Sequence, residues 1–214
     1  MPVAKYNYIV IEGNIGAGKT TLATKIASQY NAKLILERFA DNPFLPKFYS
    51  EPERYSFPLE LSFLADRYKQ LREELTGGDL FREFTVADYY FMKSLIFAAA
   101  TLSGDEYNLY RQIFYIIYGM LPKPDLYVYL HMEPERLLHN IRKRGRSYEK
   151  SITTDYLKSI QDNYFRFFTQ NPDNKYLVLD VNNMDFVDND EHYKKITGTI
   201  FGEDFPVGVN KVIL

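Results

Sequence analysis

The sequence predicts an α/β fold: a single domain over residues 1–214, built on a five-stranded parallel sheet flanked by helices. Three observations carry this expectation. Short apolar runs alternate with longer amphipathic ones. No hairpin turn joins consecutive strand candidates. The first strand passes through a Gly-rich turn directly into a helix. A chain of 214 residues fits one domain with a sizeable core, and 46% hydrophobic with 25% charged residues is an ordinary globular composition.

The elements follow in order. Tyr8-Ile9-Val10-Ile11 is an apolar run bounded by polar residues, hence a buried strand, and Thr21 to Ala27 reads as the first turns of a helix. Lys33-Leu34-Ile35-Leu36 is a second short strand ending at Glu37. An acid at that end of a parallel strand points into the crevice where α/β proteins bind ligands. Pro43, Pro46 and Pro52 divide residues 41–55 into short helical pieces joined by turns. Phe57, Leu61, Leu64, Tyr68 and Leu71 recur at three- and four-residue spacing, so Ser56 to Leu75 is a helix, ended by Gly77-Gly78. Phe84 to Ala87 is a third strand, terminating at Asp88. Helices over Tyr90–Leu102 and Asp105–Met120 follow, the second with Ile113, Ile116 and Ile117 on one face.

Leu126 to Leu130 is the fourth strand, entered through Pro122 and Pro124. Pro134 opens a helix from Glu135 to Arg142, and the basic run Arg142-Lys143-Arg144-Gly145-Arg146 lies between it and the next helix. That next helix, Thr154 to Phe168, is aromatic-rich and stopped by Asn171-Pro172. Tyr176 to Leu179 is the fifth strand and Asn189 to Thr199 the last helix; the stretch after Gly202 carries little signal.

Composition excludes several classes. With no cysteine there is no disulfide, thiolate zinc site or cysteine nucleophile, and His131, His139 and His192 are too far apart to suggest a local metal cluster. A net charge of −2 gives no reason to expect nucleic acid as a partner. The N-terminus enters a strand almost at once without a signal-like region, and the most apolar window, Leu95 to Leu102, is too short to span a bilayer, so a cytoplasmic protein without membrane attachment is expected. The unusual feature is 19 Tyr and 16 Phe with no Trp.

Gly13-Asn14-Ile15-Gly16-Ala17-Gly18-Lys19-Thr20 fits the phosphate-binding pattern G-x-x-x-x-G-K-[ST], and a strand before it and a helix after it supply the required context. Backbone N–H groups of Gly13 to Thr21 would surround a phosphate at a helix N-terminus. Lys19 would reach the β- and γ-phosphates of ATP and Thr20 would offer its hydroxyl to Mg²⁺. Three features choose among such proteins. The only Asn-Lys pair, Asn174-Lys175, lacks the Asp of a guanine-specific element, and no aliphatic strand ends in a paired acid. The basic run sits where a mobile flap could close over phosphates, with Arg144 and Arg146 clamping the transferred group; a solvated loop is its plainer reading.

The P-loop with Glu12 before it, the lid sequence Arg144-Gly145-Arg146, Asn42 to Tyr49, Arg67 to Leu71, Ala87-Asp88-Tyr89 and Lys93 to Ala98 together resemble the deoxyribonucleoside kinases, most of all the bacterial deoxyguanosine and deoxyadenosine kinase branch. The resemblance implies a P-loop kinase fold with an Arg-rich lid over about 142–153, and transfer of the ATP γ-phosphate to a deoxynucleoside 5′-OH. It implies catalytic roles for Glu37, Lys19, Asp88, Arg144 and Arg146. Glu37 matches the acid that takes the 5′-OH proton, Tyr49 and Glu149 the pair that binds the sugar 3′-OH, and Asp185 and Phe186 the loop that holds the ATP base. Thr20, Glu37 and Asp88 are the implied Mg²⁺ contacts, and a homodimer is implied, with Ile113, Ile116 and Ile117 as its interface or as plain core.

Glu60 and Arg67, seven residues apart on one helix face, match positions that read the base edge. Guanine is favoured, because a carboxylate accepts from its N1–H and N2–H₂ while Arg67 can donate to O6 and N7. Mutual pairing of Glu60 and Arg67 is the alternative. Three positions depart from the better-known animal branch: Tyr89 follows Asp88 in place of Arg, which leaves the substrate-side role of Lys93 open; Asn140 stands where another Arg often lies; and a residue is added near Met184. The rival enzyme is a thymidylate-type monophosphate kinase, for which Arg38 and Arg54 are the only spare acceptor-side arginines. A nucleotide-binding module without turnover is the third reading.

Overall fold

The computed structural model describes residues 5–38, 42–77 and 81–214. Six strands form one sheet: β1 (Tyr8–Gly13), β2 (Lys33–Ile35), β3 (Thr85–Ala87), β4 (Leu126–His131), β5 (Lys175–Asp180) and β6 (Gly208–Ile213). Their order is β2-β3-β1-β4-β5-β6 and every neighbouring pair is parallel. Among the described residues eight α-helices accompany them: α1 (Lys19–Tyr30), α2 (Leu45–Ser50), α3 (Pro52–Thr76), α4 (Met92–Thr101), α5 (Gly104–Tyr118), α6 (Pro134–Arg144), α7 (Thr154–Gln170) and α8 (Asp190–Gly202).

The sheet therefore has six strands, not five. β6 pairs with β5 from Lys175↔Gly208 to Asp180↔Ile213. Its sequence, Gly-Val-Asn-Lys-Val-Ile, gives little apolar signal because an edge strand buries only part of each face, and backbone pairing with β5 holds it.

Alternate residues of the central strands feed two cores. Ile9 and Ile11, with Leu126, Val128, Leu130, Leu177 and Leu179, face α1 and α8, meeting Leu22, Ile26, Ile196 and Ile200. Val10, Tyr127, Tyr129, Tyr176 and Val178 face α4, α5 and α7. The second face explains much of the tyrosine content. Tyr90, Tyr127 and Tyr176 pack edge-on or tilted at centroid distances of 5.2–5.6 Å, and Phe168 stacks on Tyr176 at 4.2 Å.

Several boundaries shift. α3 starts at Pro52, four residues earlier than the periodicity suggests, and runs through Pro58. Gly77 follows its end, while Gly78 lies outside the described residues, as do residues 1–4 of the expected N-terminal approach. The buried face of α5 is Tyr110, Phe114 and Tyr118; Ile113 and Ile117 pack at its margin and Ile116 is exposed. The basic run is not wholly a loop: Arg142, Lys143 and Arg144 complete α6, and Gly145 caps it in the left-handed conformation at φ 75°.

Because β3 lies on one side of β1 and β4 on the other, the strand order reverses at β1, and ligands of such sheets bind beyond the strand C-termini at that point. The Gly-rich turn emerges there.

Candidate active site

The turn from β1 into α1 leaves no room for side chains at its glycines. A Cβ on Gly16, at φ +84°, would lie 2.8 Å from the Leu137 carbonyl oxygen, and one on Gly18, at φ +85°, 2.7 Å from the Phe186 ring. Asn14 fastens the turn from beneath, its Nδ2 donating to the Leu157 carbonyl at 2.6 Å, and Asn140 Nδ2 donates to the Gly16 carbonyl at 3.0 Å. Asn140 thus steadies the loop at a position where a further Arg was the alternative. Lys19 opens α1 and donates from Nζ to the Asn14 carbonyl at 2.8 Å. Burial first and the Lys93 charge second lower its ammonium from the usual range to about 8, against the pull of Glu12, Asp88 and Glu37.

The ends of β2 and β3 meet beside this turn. Gln70 on α3 donates to the Leu36 carbonyl at 2.8 Å, and the Glu37 backbone N–H donates to Asp88 Oδ1 at 2.8 Å. Asp88 Oδ2 accepts from the Thr20 hydroxyl at 2.5 Å. The Glu37 side chain is 9% exposed, and both its oxygens are engaged: Oε1 accepts from Arg67 Nε at 2.9 Å and Nη2 at 2.7 Å, and Oε2 accepts from Lys93 Nζ. Burial alone pushes this carboxyl up, but the Lys93 and Arg67 charges and hydrogen bonds outweigh it and hold Glu37 at about 2. Lys93 thereby has a defined place, as the second cation on Glu37. Its segment is anchored from below by Glu12, buried in β1, which accepts from the Tyr90 backbone N–H and the Tyr164 hydroxyl, both at 2.8 Å.

The alternative, a Glu60–Arg67 pair, does not form. Arg67 turns to Glu37 and gives Nη1 to Ser94 Oγ at 3.0 Å. Glu60 Oε1 accepts from the Thr101 hydroxyl at 2.9 Å. Beyond α6, Glu149 in a short 3₁₀ turn (Ser147–Glu149) gathers both lid arginines. Arg144 Nη2 lies 2.6 Å from each Glu149 oxygen and Arg146 Nη1 3.3 Å from Oε1. Tyr49 from α2 stacks on Tyr148 at 6.0 Å, next to this cluster.

Two cavities share this ground. The smaller is lined by Tyr49, Glu60, Arg67, Lys93 and Glu149 with the apolar walls Leu59, Phe63 and Phe97. The larger runs along Gly16 to Thr21 to the loop of Asp185 and Phe186. Both are bounded by Gly16, Lys19, Thr20, Glu37, Asp88, Arg144 and Arg146, so the residues given catalytic roles by the resemblance stand at the junction. Gly13 and Asn14 support the turn from behind, and Ile15 faces the smaller cavity.

Arg136 and Lys143 on the larger cavity were not foreseen, although their seven-residue spacing on α6, with Asn140 between, marks one helix face. Arg136 donates to the Met184 carbonyl at 2.9 Å, and Lys25 to the Phe186 and Val187 carbonyls at 3.0 Å, which fixes the Asp185–Phe186 loop over the P-loop. Arg38 and Arg54 point elsewhere: their side chains are 70% and 71% exposed and meet Glu74 and Glu51.

The donor set fits a hard cation held mostly by phosphate and water. Thr20 Oγ1 and Asp88 Oδ2 converge, while no group of three or more metal-ligating side chains occurs among the described residues. No helix among the described residues is long and apolar enough to cross a membrane.

Comparison with known proteins agrees with this layout. A family model described as deoxynucleoside kinase matches residues 9–204. The deoxyguanosine kinase of Bacillus subtilis is 38% identical over 197 residues, covering 90% of this chain and 95% of that protein. A probable thymidylate kinase of Archaeoglobus fulgidus is 34% identical over 179 residues, 80% of this chain and 85% of its own. The structure of deoxyadenosine kinase from M. mycoides with products dCMP and a flexible dCDP superposes with a TM-score of 0.79 at 25% identity, covering 92% of this chain and all of that one. With the strand order, the P-loop junction and a match over nearly its whole length, this chain belongs to the deoxynucleoside kinase family of ATP-dependent phosphotransferases.

Proposed function

We propose that this kinase moves the γ-phosphoryl of ATP to the 5′-OH of a purine deoxynucleoside, deoxyguanosine or deoxyadenosine, in nucleotide salvage. The observation that carries the reading is the junction of the two cavities at Lys19, Glu37, Asp88 and the lid arginines. ATP lies along Gly13 to Thr21 with its base against Asp185 and Phe186. The nucleoside occupies the smaller cavity, its sugar 3′-OH near Tyr49 and Glu149 and its base near Glu60. The 5′-oxygen attacks the γ-phosphorus, the bond to the β-bridging oxygen breaks, and the proton passes from the 5′-oxygen to Glu37. A carboxylate held at about 2 suffices, because in a loose transition state the attacking oxygen becomes strongly acidic only as its bond to phosphorus forms. Arg67 and Lys93 fix that carboxylate in place; Lys19, Arg144 and Arg146 meet the charge on the phosphoryl oxygens. Thr20 and Asp88, with Glu37 beside them, would hold Mg²⁺, which would supply further charge neutralisation.

The acceptor cavity argues against a monophosphate acceptor. Its interior cations, Arg67 and Lys93, are both engaged by Glu37, and neither Arg38 nor Arg54 lines it. Transfer assays with the four deoxynucleosides, GMP and TMP decide the matter: turnover on monophosphates alone would reverse the assignment, and none on any acceptor would leave a binding module. We further infer one cytoplasmic domain over 1–214 with its lid at about 142–153, acting as a homodimer through the outer face of α5, where Leu109, Tyr115 and Ile116 are exposed, with Met120 just beyond its end. Sedimentation at the mass of one protomer would remove the dimer.

Lys19 adds a prediction about the donor side. Phosphate restores its charge, so ATP affinity should fall as pH rises through about 8, and binding at pH 8 should take up about half a proton. Titration calorimetry in buffers of different ionisation heat reads this directly; identical heats in all buffers would contradict it.

A further inference from the structure

Glu60 is 3% exposed, lines the acceptor cavity and is only half satisfied. Oε1 takes the Thr101 hydroxyl at 2.9 Å, while Oε2 is buried with no partner among the described residues. Arg67, the cation two turns along the same helix, is committed to Glu37 and Ser94. A buried carboxylate oxygen without a donor is unfavourable, so this one is completed by what enters the cavity.

We propose that the protonation state of Glu60 chooses between the two purines. This rests on the purine deoxynucleoside kinase reading above. As a carboxylate, Glu60 presents two acceptors, which match the N1–H and N2–H₂ donors of guanine and oppose the N1 lone pair of adenine. As a carboxylic acid it presents one donor at Oε2 and one acceptor at Oε1, which match adenine N1 and N6–H₂, while guanine keeps only one of the two donor contacts that the carboxylate accepted. Thr101 fixes which oxygen keeps the acceptor role.

The surroundings place the switch in the working range. Burial raises Glu60 to about 7, with the Arg67 charge and the Thr101 hydrogen bond pulling it down. The groups facing it are Arg67 on α3, Lys93 on α4, Glu37 after β2, Tyr49 on α2, Tyr110 on α5 and Tyr156 on α7. Glu37 stays ionised and the three tyrosines stay neutral, burial having raised each. Titration of groups common to both reactions, Lys19 among them, cancels in a ratio of two acceptors measured on one enzyme.

The test is kcat/KM for deoxyguanosine and deoxyadenosine from pH 6 to 8.5 at saturating ATP, since kcat/KM follows the free enzyme. The ratio favouring deoxyguanosine should rise by at least ~10-fold across that range, the discrimination of one bidentate base contact. Glu60→Gln, whose amide fixes one donor and one acceptor, should hold the ratio flat near its acidic value. Thr101→Val, which removes the bond that favours the ionised form, should move the change to higher pH. A flat ratio in the unmodified enzyme, or an unchanged slope in Glu60→Gln, would overturn this inference alone. Turnover restricted to pyrimidine deoxynucleosides would overturn it together with the purine reading.

Discussion

Glu37→Gln should lower kcat by about 10²–10⁴-fold, the usual range for loss of a positioned acid–base group, and leave the KM for the nucleoside within roughly threefold. The asymmetry follows from the site. Glu37 stands at the junction of the two cavities and not against the base or 3′-OH regions, so its carboxylate matters where the 5′-oxygen reacts. The amide also disrupts a buried cluster. It offers one acceptor to Arg67 and Lys93, which now receive two, and its NH₂ must face one of these cations. Removing one member of a buried ion pair is strongly destabilising, and with an amide still accepting one hydrogen bond we expect about 2–4 kcal/mol. For a chain of this size that lowers Tm on the order of 10 °C. Kinetics at 20 °C with a melting curve on the same sample separate the two effects. Equal losses in kcat and nucleoside affinity would remove Glu37 from the proton-transfer role and leave it as the anchor of Arg67 and Lys93.

How much of this was legible in the sequence depends on how local each feature is. The P-loop is contiguous, so Lys19 and Thr20 are identified by spacing alone. Glu37 and Asp88 are legible because they end strands of a parallel sheet, and the topology alone brings such ends together. The pairings between elements are not. Arg67 and Glu37 are 30 residues apart and Lys93 and Glu37 are 56 apart, and no periodicity states that three elements aim at one carboxylate. Helical spacing correctly put Glu60 and Arg67 on one buried face, yet the competition for Arg67 is won by Glu37, because Glu37 Oε1, which accepts from both Nε and Nη2, together with Ser94 satisfies a guanidinium better than Glu60 alone. Lys93 enters the same contest as the second cation on Glu37. β6 escaped notice because an edge strand owes its existence to backbone pairing with β5, and the lid run looked like loop because helix propensity through Arg142, Lys143 and Arg144 was read as charge.

Arg144→Ala should lower kcat by about 10³-fold, the lower end of what a transition-state arginine contributes, because Arg146 remains beside it. The folded protein should lose little. The Arg144 side chain is 36% exposed, and Glu149 keeps Arg146 at 3.3 Å. In the structure Arg144 spends Nη2 on Glu149, at 2.6 Å from both oxygens, and this pair straddles the two cavities. Incoming phosphate competes for Arg144, and each guanidinium N–H transferred to phosphate frees a Glu149 oxygen for the sugar 3′-OH. Donor and acceptor should therefore bind with positive coupling, and Arg144→Ala should abolish the coupling as well as the rate. Arg144→Lys separates charge from geometry: an ammonium restores part of kcat but lacks the several guanidinium nitrogens to divide between phosphate and Glu149, so the coupling should stay weak. Nucleoside affinity measured with and without a non-hydrolysable ATP analogue reads the coupling, and single-turnover kinetics read the chemical step. If Arg144→Ala raised only the KM for ATP, with kcat and coupling intact, the lid arginine would be a ground-state phosphate contact, and the transition-state charge would fall to Lys19 and Arg146 alone.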